Sequence, residues 1–243
     1  MKKIGIMQFL CYNRVVLTKE IHTVSIRRTL KMVRNQFLLQ LKPGKLEDYK
    51  NVLANPCADL TALADKKGIR NLSIWNAADF IFGYFETEEE LSFTAEEQAI
   101  LDKYEEAMAD VYSYISTRGE HMRLMYNDIG TPSETKEYIR KRAFMTKLDL
   151  GMQEEYKRRH DLLSLNRPAP DPSKPEKPRS SNNFTIWNAS RYILGYQEID
   201  TRYEQPKPVM PEGYINPWET YMLQIMSWVS PMDGSMDLLY NKD

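Results

Sequence analysis

A tyrosine and a histidine that lie four residues apart are the part of this sequence best suited to chemistry. Tyr156 and His160 stand in segment 144–160, FMTKLDLGMQEEYKRRH, which reads as a strand that turns at Gly151 and enters a helix. On a helix, positions i and i+4 share one face with Cβ atoms roughly 5–6 Å apart, so both side chains can reach one small ligand. A histidine, with an ordinary pKa near ~6.5, transfers protons at neutral pH, and a neighbouring tyrosine hydroxyl orients a substrate oxygen by hydrogen bonding.

The same residues also have a structural interpretation. A histidine in the run KRRH, directly after Arg158 and Arg159, is typical of a solvated helix face. Trp218, at the head of a later helical segment, is typical of a core aromatic, although its indole could also stack on the apolar face of a sugar ring. The choice between these interpretations depends on the elements that position the pair.

An earlier copy of the segment is present in the chain. Segment 37–53, FLLQLKPGKLEDYKNVL, keeps the tyrosine as Tyr49 but has Leu53 where the later copy has His160. Leucine cannot transfer a proton. Only the later copy is therefore suited to acid/base chemistry.

Further blocks recur in the same order and indicate a duplicated unit. IWNAADFIFGY at 74–84 returns as IWNASRYILGY at 186–196, with seven of eleven positions identical. Two later pairs follow, 104–116 with 218–230 and 121–127 with 235–241. Four blocks in one order predict duplication and fusion of a unit of about a hundred residues.

The hydrophobic periods predict the same elements in each copy. The first copy predicts a strand at 36–42, a helix at 44–67 bent at Pro56, hairpin strands at 71–76 and 80–86, a helix at 94–115 and a closing strand at 121–128. Gly68 ends the first helix, and Thr94 with Glu97 forms a capping box at the start of the second. The order is β-α-β-β-α-β, the ferredoxin-like unit.

Two such repeats predict an α+β architecture in one chain. A ferredoxin-like sheet has helices on one face only, so the open faces of two copies are expected to pack together. The result would be an intramolecular α+β barrel, a pseudo-dimer, with ligand cavities between the sheets. The expected boundaries are an extension at 1–33, a first repeat at 34–129, a linker at 130–137 and a second repeat at 138–243.

Two proline-rich insertions distinguish the second repeat from the first. One lies between Leu165 and Asn182, where prolines end the helix, and we interpret it as a solvent-exposed loop. The other lies between Tyr203 and Trp218. Because it leads directly into the tryptophan, it is a candidate lid over a site.

Composition excludes several classes of function. The 243 residues carry a net charge of −1, so there is no basic excess with which to follow a nucleic-acid backbone. No apolar run approaches the ~20 residues of a membrane-spanning helix. Cys11 and Cys57 are the only cysteines, which leaves no disulfide framework and no cysteine metal site and fits a cytoplasmic location. The apolar patch in residues 1–33 is short and interrupted by polar residues, which favours a weakly ordered extension over a signal peptide.

A family resemblance covers nearly all of the second repeat and, more faintly, the first. Segment 140–160, RKRAFMTKLDLGMQEEYKRRH, resembles the signature of the L-rhamnose mutarotases, a strand followed by E-E-Y-x-R-R-H. Segments 182–199 and 218–226 are similar to the second and third strands of that family and to its tryptophan-led helix. The family is a homodimeric α+β barrel that interconverts the α and β anomers of L-rhamnose without a metal or organic cofactor.

The resemblance implies a site and a monosaccharide as its partner. The acid/base histidine of the family falls on His160, and its sugar-binding residues fall on Tyr156 and Trp218. A second binding tyrosine falls on Phe184, which has the ring but no hydroxyl. The family's Trp-Pro-Glu after the histidine is replaced here by residues 163–165, Leu-Ser-Leu.

Three functions remain open at this point. The leading hypothesis is a sugar mutarotase with one acting site, because the first repeat has Leu53 and Tyr104 at the histidine and tryptophan positions. The first alternative is a non-catalytic carbohydrate-binding or regulatory protein on the same scaffold. A cofactor-independent monooxygenase on a similar barrel is supported only by analogy of fold. The first two differ in whether His160 faces an open pocket together with Tyr156 and Trp218.

Overall fold

The computed structural model describes residues 32–55, 57–165, 178–206, 211, 214, 216–232 and 234–243. The first half of the chain forms β1 (Val33–Leu41), α1 (Leu46–Ala54), α2 (Ala58–Lys66), β2 (Arg70–Ala77), β3 (Phe80–Thr87), α3 (Ala95–Met108), β4 (Tyr112–Tyr114) and β5 (Arg123–Asp128). The second half forms β6 (Ile139–Leu148), α4 (Gln153–Leu165), β7 (Ser181–Ala189), β8 (Tyr192–Asp200), α5 (Pro217–Met222), β9 (Met226–Trp228) and β10 (Asp237–Lys242). The extension at 1–31 and the central parts of both proline-rich insertions lie outside the described residues.

The strands form two five-stranded antiparallel sheets. Their orders are β10-β2-β3-β1-β4 and β5-β7-β8-β6-β9. A mixed α+β architecture is thereby confirmed, and it is consistent with ferredoxin-like units. Among the described residues, no helix is both long enough and apolar enough to span a membrane.

The closing strands are exchanged between the repeats. The described chain divides into unit 1, residues 32–122 with 237–243, and unit 2, residues 123–236. Strand β5, from the first repeat, pairs with β7, whereas β10, from the second repeat, pairs with β2. The expectation that each repeat keeps its own closing strand is therefore wrong. The two closing strands have similar sequences, so side-chain pattern alone does not determine which sheet each one joins. The facing of the two sheets as a barrel stays a prediction.

Two predicted helices are shorter than their hydrophobic spacing suggested. The helix expected at 44–67 is divided into α1 and α2 around position 56, where a bend was predicted. The helix expected at 94–115 keeps its Thr94–Glu97 capping box but ends at Met108. Tyr112–Tyr114 then form the edge strand β4, which pairs with the end of β1. Aromatic residues at alternate positions suit an edge strand better than a last helical turn.

A glycine in each hairpin allows an aromatic ring to cross the sheet. A Cβ atom added at Gly195 would lie 2.1 Å from Cε1 of Phe144, and one added at Gly83 would lie 1.5 Å from Cε1 of Phe37. Only glycine permits so close an approach between a strand and a ring. This contact gives a physical reason for the glycine that recurs in the two IWNA blocks.

The linker at 130–137 also contributes to unit 2. Glu198 on β8 is fully buried and accepts hydrogen bonds from Nζ of Lys136, a linker residue, at 2.9 and 2.8 Å. Asn183 Nδ2 and the Tyr196 hydroxyl donate to the same carboxylate, at 3.1 and 3.2 Å. The linker segment is therefore anchored to the second sheet through a buried ion pair.

Candidate functional site

The helix α4 presents the predicted tyrosine–histidine pair to the interior of unit 2. Glu154 and Glu155 in its first turn are favourable at a helix N-terminus. Tyr156 and His160 lie on the buried face, and their rings stack with centroids 4.4 Å apart and an interplanar angle of 27°. The predicted one-turn spacing and shared face are confirmed.

The protonation state of His160 follows from its hydrogen bond. Nδ1 lies 3.0 Å from the backbone carbonyl oxygen of Tyr156, which can only accept, so Nδ1 carries the proton. The lone pair of Nε2 is then left to accept a proton. The side chain is only 5% exposed, and burial lowers the pKa of His160 below its ordinary value. At neutral pH His160 is therefore an uncharged base.

Two further aromatic rings contact this histidine, and a third packs against one of them. The Trp218 ring meets the His160 ring edge-on, with centroids 5.2 Å apart. The Tyr126 ring also contacts His160, with centroids 5.3 Å apart. Phe184 packs against Tyr126 at 5.6 Å and thereby joins the cluster without stacking on His160 itself. The structure thus brings together all four residues that the sequence assigned to the site.

Tyr126 was missed by the sequence reasoning, which treated its segment only as a closing strand. It belongs to β5, which comes from the first repeat and reaches the site through the exchange of closing strands. The candidate site is therefore composite, with one ring from the first repeat and four from the second. The repeat alignment held a signal, because Tyr126 and Tyr240 occupy the same position in the two copies. Tyr240 packs against the core of unit 1.

Tyr156 is a hydrogen-bond donor rather than a base. Burial raises the pKa of its hydroxyl well above the ordinary range, and the negative charge of Glu219 raises it further. The phenol therefore stays protonated at every physiological pH. Its buried position beside His160 suits it to orient an oxygen atom of a ligand.

The placement of Trp218 depends on a short helix. The Asn216 side chain accepts a hydrogen bond from the Trp218 backbone N–H at 2.9 Å and so caps α5, with Pro217 in the first turn. Proline at this position is pre-organised for a helix start. Most of the segment 207–215, part of the predicted lid, lies outside the described residues.

One of the two arginines before His160 corrects the sequence interpretation. Arg158 is exposed and ion-paired with Glu155, as expected for a solvated face. Arg159 is only 7% exposed, and its guanidinium carbon lies 3.7 Å from the centroid of the Tyr221 ring. The expectation of a solvated Arg159 is wrong because the planar guanidinium can be buried when it stacks on a ring and bonds to oxygen atoms.

Unit 1 has a different set of side chains at the matching positions. Tyr49 is fully buried with a hydroxyl that has no hydrogen-bond partner among the described residues, and Leu53 takes the place of the histidine. The hydroxyls of Tyr112 and Tyr114 donate to Glu105 at 3.0 and 2.8 Å. Burial raises the pKa of this carboxyl group. Unit 1 thus has a leucine at the histidine position, and its Glu105, which aligns with Glu219 of unit 2, is held by two tyrosines.

The chemistry available in unit 2 is that of a neutral base next to a phenol and flat apolar surfaces. Such a set fits a small ring that has exchangeable hydroxyl protons and an apolar face. The described residues contain no group of three or more His, Cys, Asp or Glu side chains arranged to hold a metal ion.

Comparison with known proteins gives one match. Residues 34–127 match the family model described as L-rhamnose mutarotase, which confirms the resemblance predicted from the sequence. The matched segment is the first repeat, which has Leu53 at the histidine position, and not the segment that carries His160. No curated protein and no solved structure matches the chain significantly.

Proposed function

We propose that the protein is a sugar mutarotase that interconverts the α and β anomers of L-rhamnose or a related hexose at one site in unit 2. The observation that carries this proposal is the buried, neutral His160, whose Nδ1 is fixed by a backbone carbonyl and whose ring lies between Tyr156, Trp218 and Tyr126. The family match supports an isomerase of the mutarotase type. The small number of cysteines supports action in the cytoplasm.

The reaction needs one group that moves a proton in both directions. Nε2 of His160 accepts the proton of the anomeric hydroxyl while the bond between the anomeric carbon and the ring oxygen breaks. The imidazolium returns this proton to the ring oxygen, which gives the open-chain aldehyde. Rotation about the bond between the first two carbons and the reverse proton transfers close the ring on the other face. General acid/base catalysis of this kind contributes about 10²–10⁴-fold.

The remaining residues of the cluster hold the ring. The Tyr156 hydroxyl donates a hydrogen bond to a sugar oxygen, and the Trp218 indole provides a flat platform for the apolar face. Phe184, where the family has a tyrosine, adds apolar surface without a further donor. This composition favours a 6-deoxyhexose, whose methyl group replaces a hydroxymethyl group, over a fully hydroxylated sugar.

The proposal is tested by saturation-transfer NMR of anomer exchange. The anomeric proton of one anomer is saturated, and transfer to the other is measured for L-rhamnose, other 6-deoxyhexoses and ordinary hexoses. We expect accelerated exchange for at least one 6-deoxyhexose. Sugar binding without accelerated exchange would instead favour a carbohydrate-binding protein on the same scaffold.

The pH dependence of the rate reports on His160. Only the neutral imidazole can accept the proton, so the rate falls as the pH drops through the pKa of His160. Because burial lowers that pKa below its ordinary value of 6.5, we expect the midpoint of the fall in kcat/KM to lie below pH 6.5. Anomer exchange measured from neutral to acidic pH, with a spectroscopic check of folding at each pH, provides the test. A rate that already halves at pH 6.5 or above would contradict a buried neutral base.

Tyr49→Phe is expected to leave anomer exchange nearly unchanged, because unit 1 has Leu53 in place of the histidine. The Tyr49 hydroxyl has no partner among the described residues, so its removal should not lower the free energy of unfolding. Tyr156→Phe in unit 2 is the matched comparison and should weaken sugar binding. A large loss of rate in folded Tyr49→Phe would show a working site in unit 1.

A further inference from the structure

The side chain of Arg159 connects α4 to α5. Its Nε donates to Oε1 of Glu155 at 2.8 Å, and Nη1 donates to the backbone carbonyl of Tyr221. The guanidinium plane also covers the Tyr221 ring, with Cζ 3.7 Å from the ring centroid. With a relative exposure of 7%, this is a buried cation with a charged, a polar and an aromatic partner.

The helix that Arg159 holds is too short to be stable by itself. Helix α5 has only six residues, whereas isolated helices shorter than ~12–15 residues are marginal in water. It carries Trp218 at its start, and the Trp218 ring lies 6.0 Å from the Tyr221 ring that Arg159 covers. Arg159 also directly precedes His160. Arg159 therefore connects α5, which carries Trp218, to the helical turn of α4 that carries His160.

The first repeat lacks both the arginine and the aromatic ring of this connection. Val52 stands at the position of Arg159, Asp48 at that of Glu155 and Ala107 at that of Tyr221. Its helix α3 has 14 residues and a complete capping box, so it has the length and the capping to persist without a cross-link. The fold of the repeat thus does not require the arginine.

The arginine connection occurs in the repeat that has both His160 and Trp218, and it is missing where their positions hold Leu53 and Tyr104. We propose that Arg159 is a positioning residue of the site, which holds α5, and with it Trp218, against His160. The part of this inference that concerns sugar binding rests on the proposed function. The part that concerns the position of α5 does not.

The experiment compares Arg159→Ala and Arg159→Lys with Arg158→Ala in the full chain. Arg158 is the matched control because it pairs with the same Glu155 and has an exposed side chain; its Nη2 also donates to the Tyr221 hydroxyl, at 3.4 Å. Amide hydrogen exchange of the peptide that covers 216–225 is measured by mass spectrometry, and kcat and KM are measured by saturation-transfer NMR. For Arg159→Ala we expect amide hydrogen exchange in α5 to be at least about tenfold faster, whereas amide hydrogen exchange in the sheet of unit 2 should not change.

The kinetic effect should appear mainly in KM. Displacing Trp218 should raise KM by about ten- to a hundredfold, while kcat changes less because His160 keeps its own hydrogen bond to the Tyr156 carbonyl. Lysine keeps the charge but cannot cover the Tyr221 ring, so Arg159→Lys should show an intermediate effect. Arg158→Ala should change both measurements far less than Arg159→Ala, because the Arg158 side chain is exposed and its hydrogen bond to the Tyr221 hydroxyl is long.

If amide hydrogen exchange in α5 is unchanged in folded Arg159→Ala, the proposal is overturned, whatever the values of kcat and KM. Faster exchange in α5 together with no anomer exchange in the wild type would support the positioning role and contradict the proposed function instead. Should Arg159→Ala fail to fold, Tyr221→Leu removes the ring from the same contact and keeps the backbone carbonyl. Slow exchange in α5 of that variant would equally contradict the proposal.

Discussion

His160→Ala is expected to reduce anomer exchange to the uncatalysed rate, a loss of about 10²–10⁴-fold in kcat. Of the five rings in the cluster, only His160 has a group that is an uncharged base at neutral pH. Tyr156 stays protonated, because burial raises its pKa. The cluster therefore has no substitute for Nε2 when the imidazole is removed.

The companion variants separate catalysis from binding. Tyr156→Phe and Trp218→Ala remove a donor and a platform, so they should raise KM more than they lower kcat. His121→Ala is the control for loss of a histidine, because His121 is exposed and bonded to Glu90 in unit 1. It should keep wild-type kinetics. If the His160→Ala variant folds, binds sugar and still accelerates anomer exchange at the wild-type rate, the catalytic assignment is contradicted and a carbohydrate-binding protein is favoured.

Local spacing carried the correct part of the site prediction. Tyr156 and His160 lie one helical turn apart, and that separation alone places two side chains on one face. Trp218 was placed by its position at a helix start, which Asn216 and Pro217 confirm. These features depend on neighbouring residues in sequence, so a single sequence suffices to predict them.

Features that depend on distant pairing could not be predicted in the same way. Tyr126 reaches His160 only because β5 joins the sheet of the other repeat, and the alternation of side chains in a strand does not select its partner. Phe184 lies in the aromatic cluster, but it packs against Tyr126 and reaches His160 only through that ring.

Arg159 shows a different limit of sequence patterns. A run of basic residues on a helix is typical of a solvated face, and Arg158 follows that rule. Arg159 departs from it because Tyr221, 62 positions along the chain, provides a ring and a carbonyl group. The correct interpretation of a cation on a helix thus requires knowledge of what packs over it.

Lys136→Met is expected to lower the free energy of unfolding of unit 2 by about 3–5 kcal/mol, because it would remove the positive partner from a buried ion pair. Glu198 is fully buried, and both of its carboxylate oxygens lie within hydrogen-bond distance of Lys136 Nζ. Asn183 and Tyr196 donate to the same carboxylate but are uncharged. They can orient the carboxylate without balancing its charge. Urea unfolding followed by tryptophan fluorescence measures the loss.

The double variant Lys136→Met with Glu198→Gln distinguishes a charge effect from lost packing. A neutral amide needs no counter-charge and can still accept from Asn183 and Tyr196, so the double variant should recover most of the lost stability. An equal loss in the single and double variants would mean that the lysine acts through packing of the linker. A loss below about 1 kcal/mol in the single variant would mean that the buried carboxylate tolerates the loss of this lysine, since exposed pairs contribute no more than that. The expected recovery of stability follows from the full burial of Glu198, because the same carboxylate at the surface would be solvated by water and would not need the lysine.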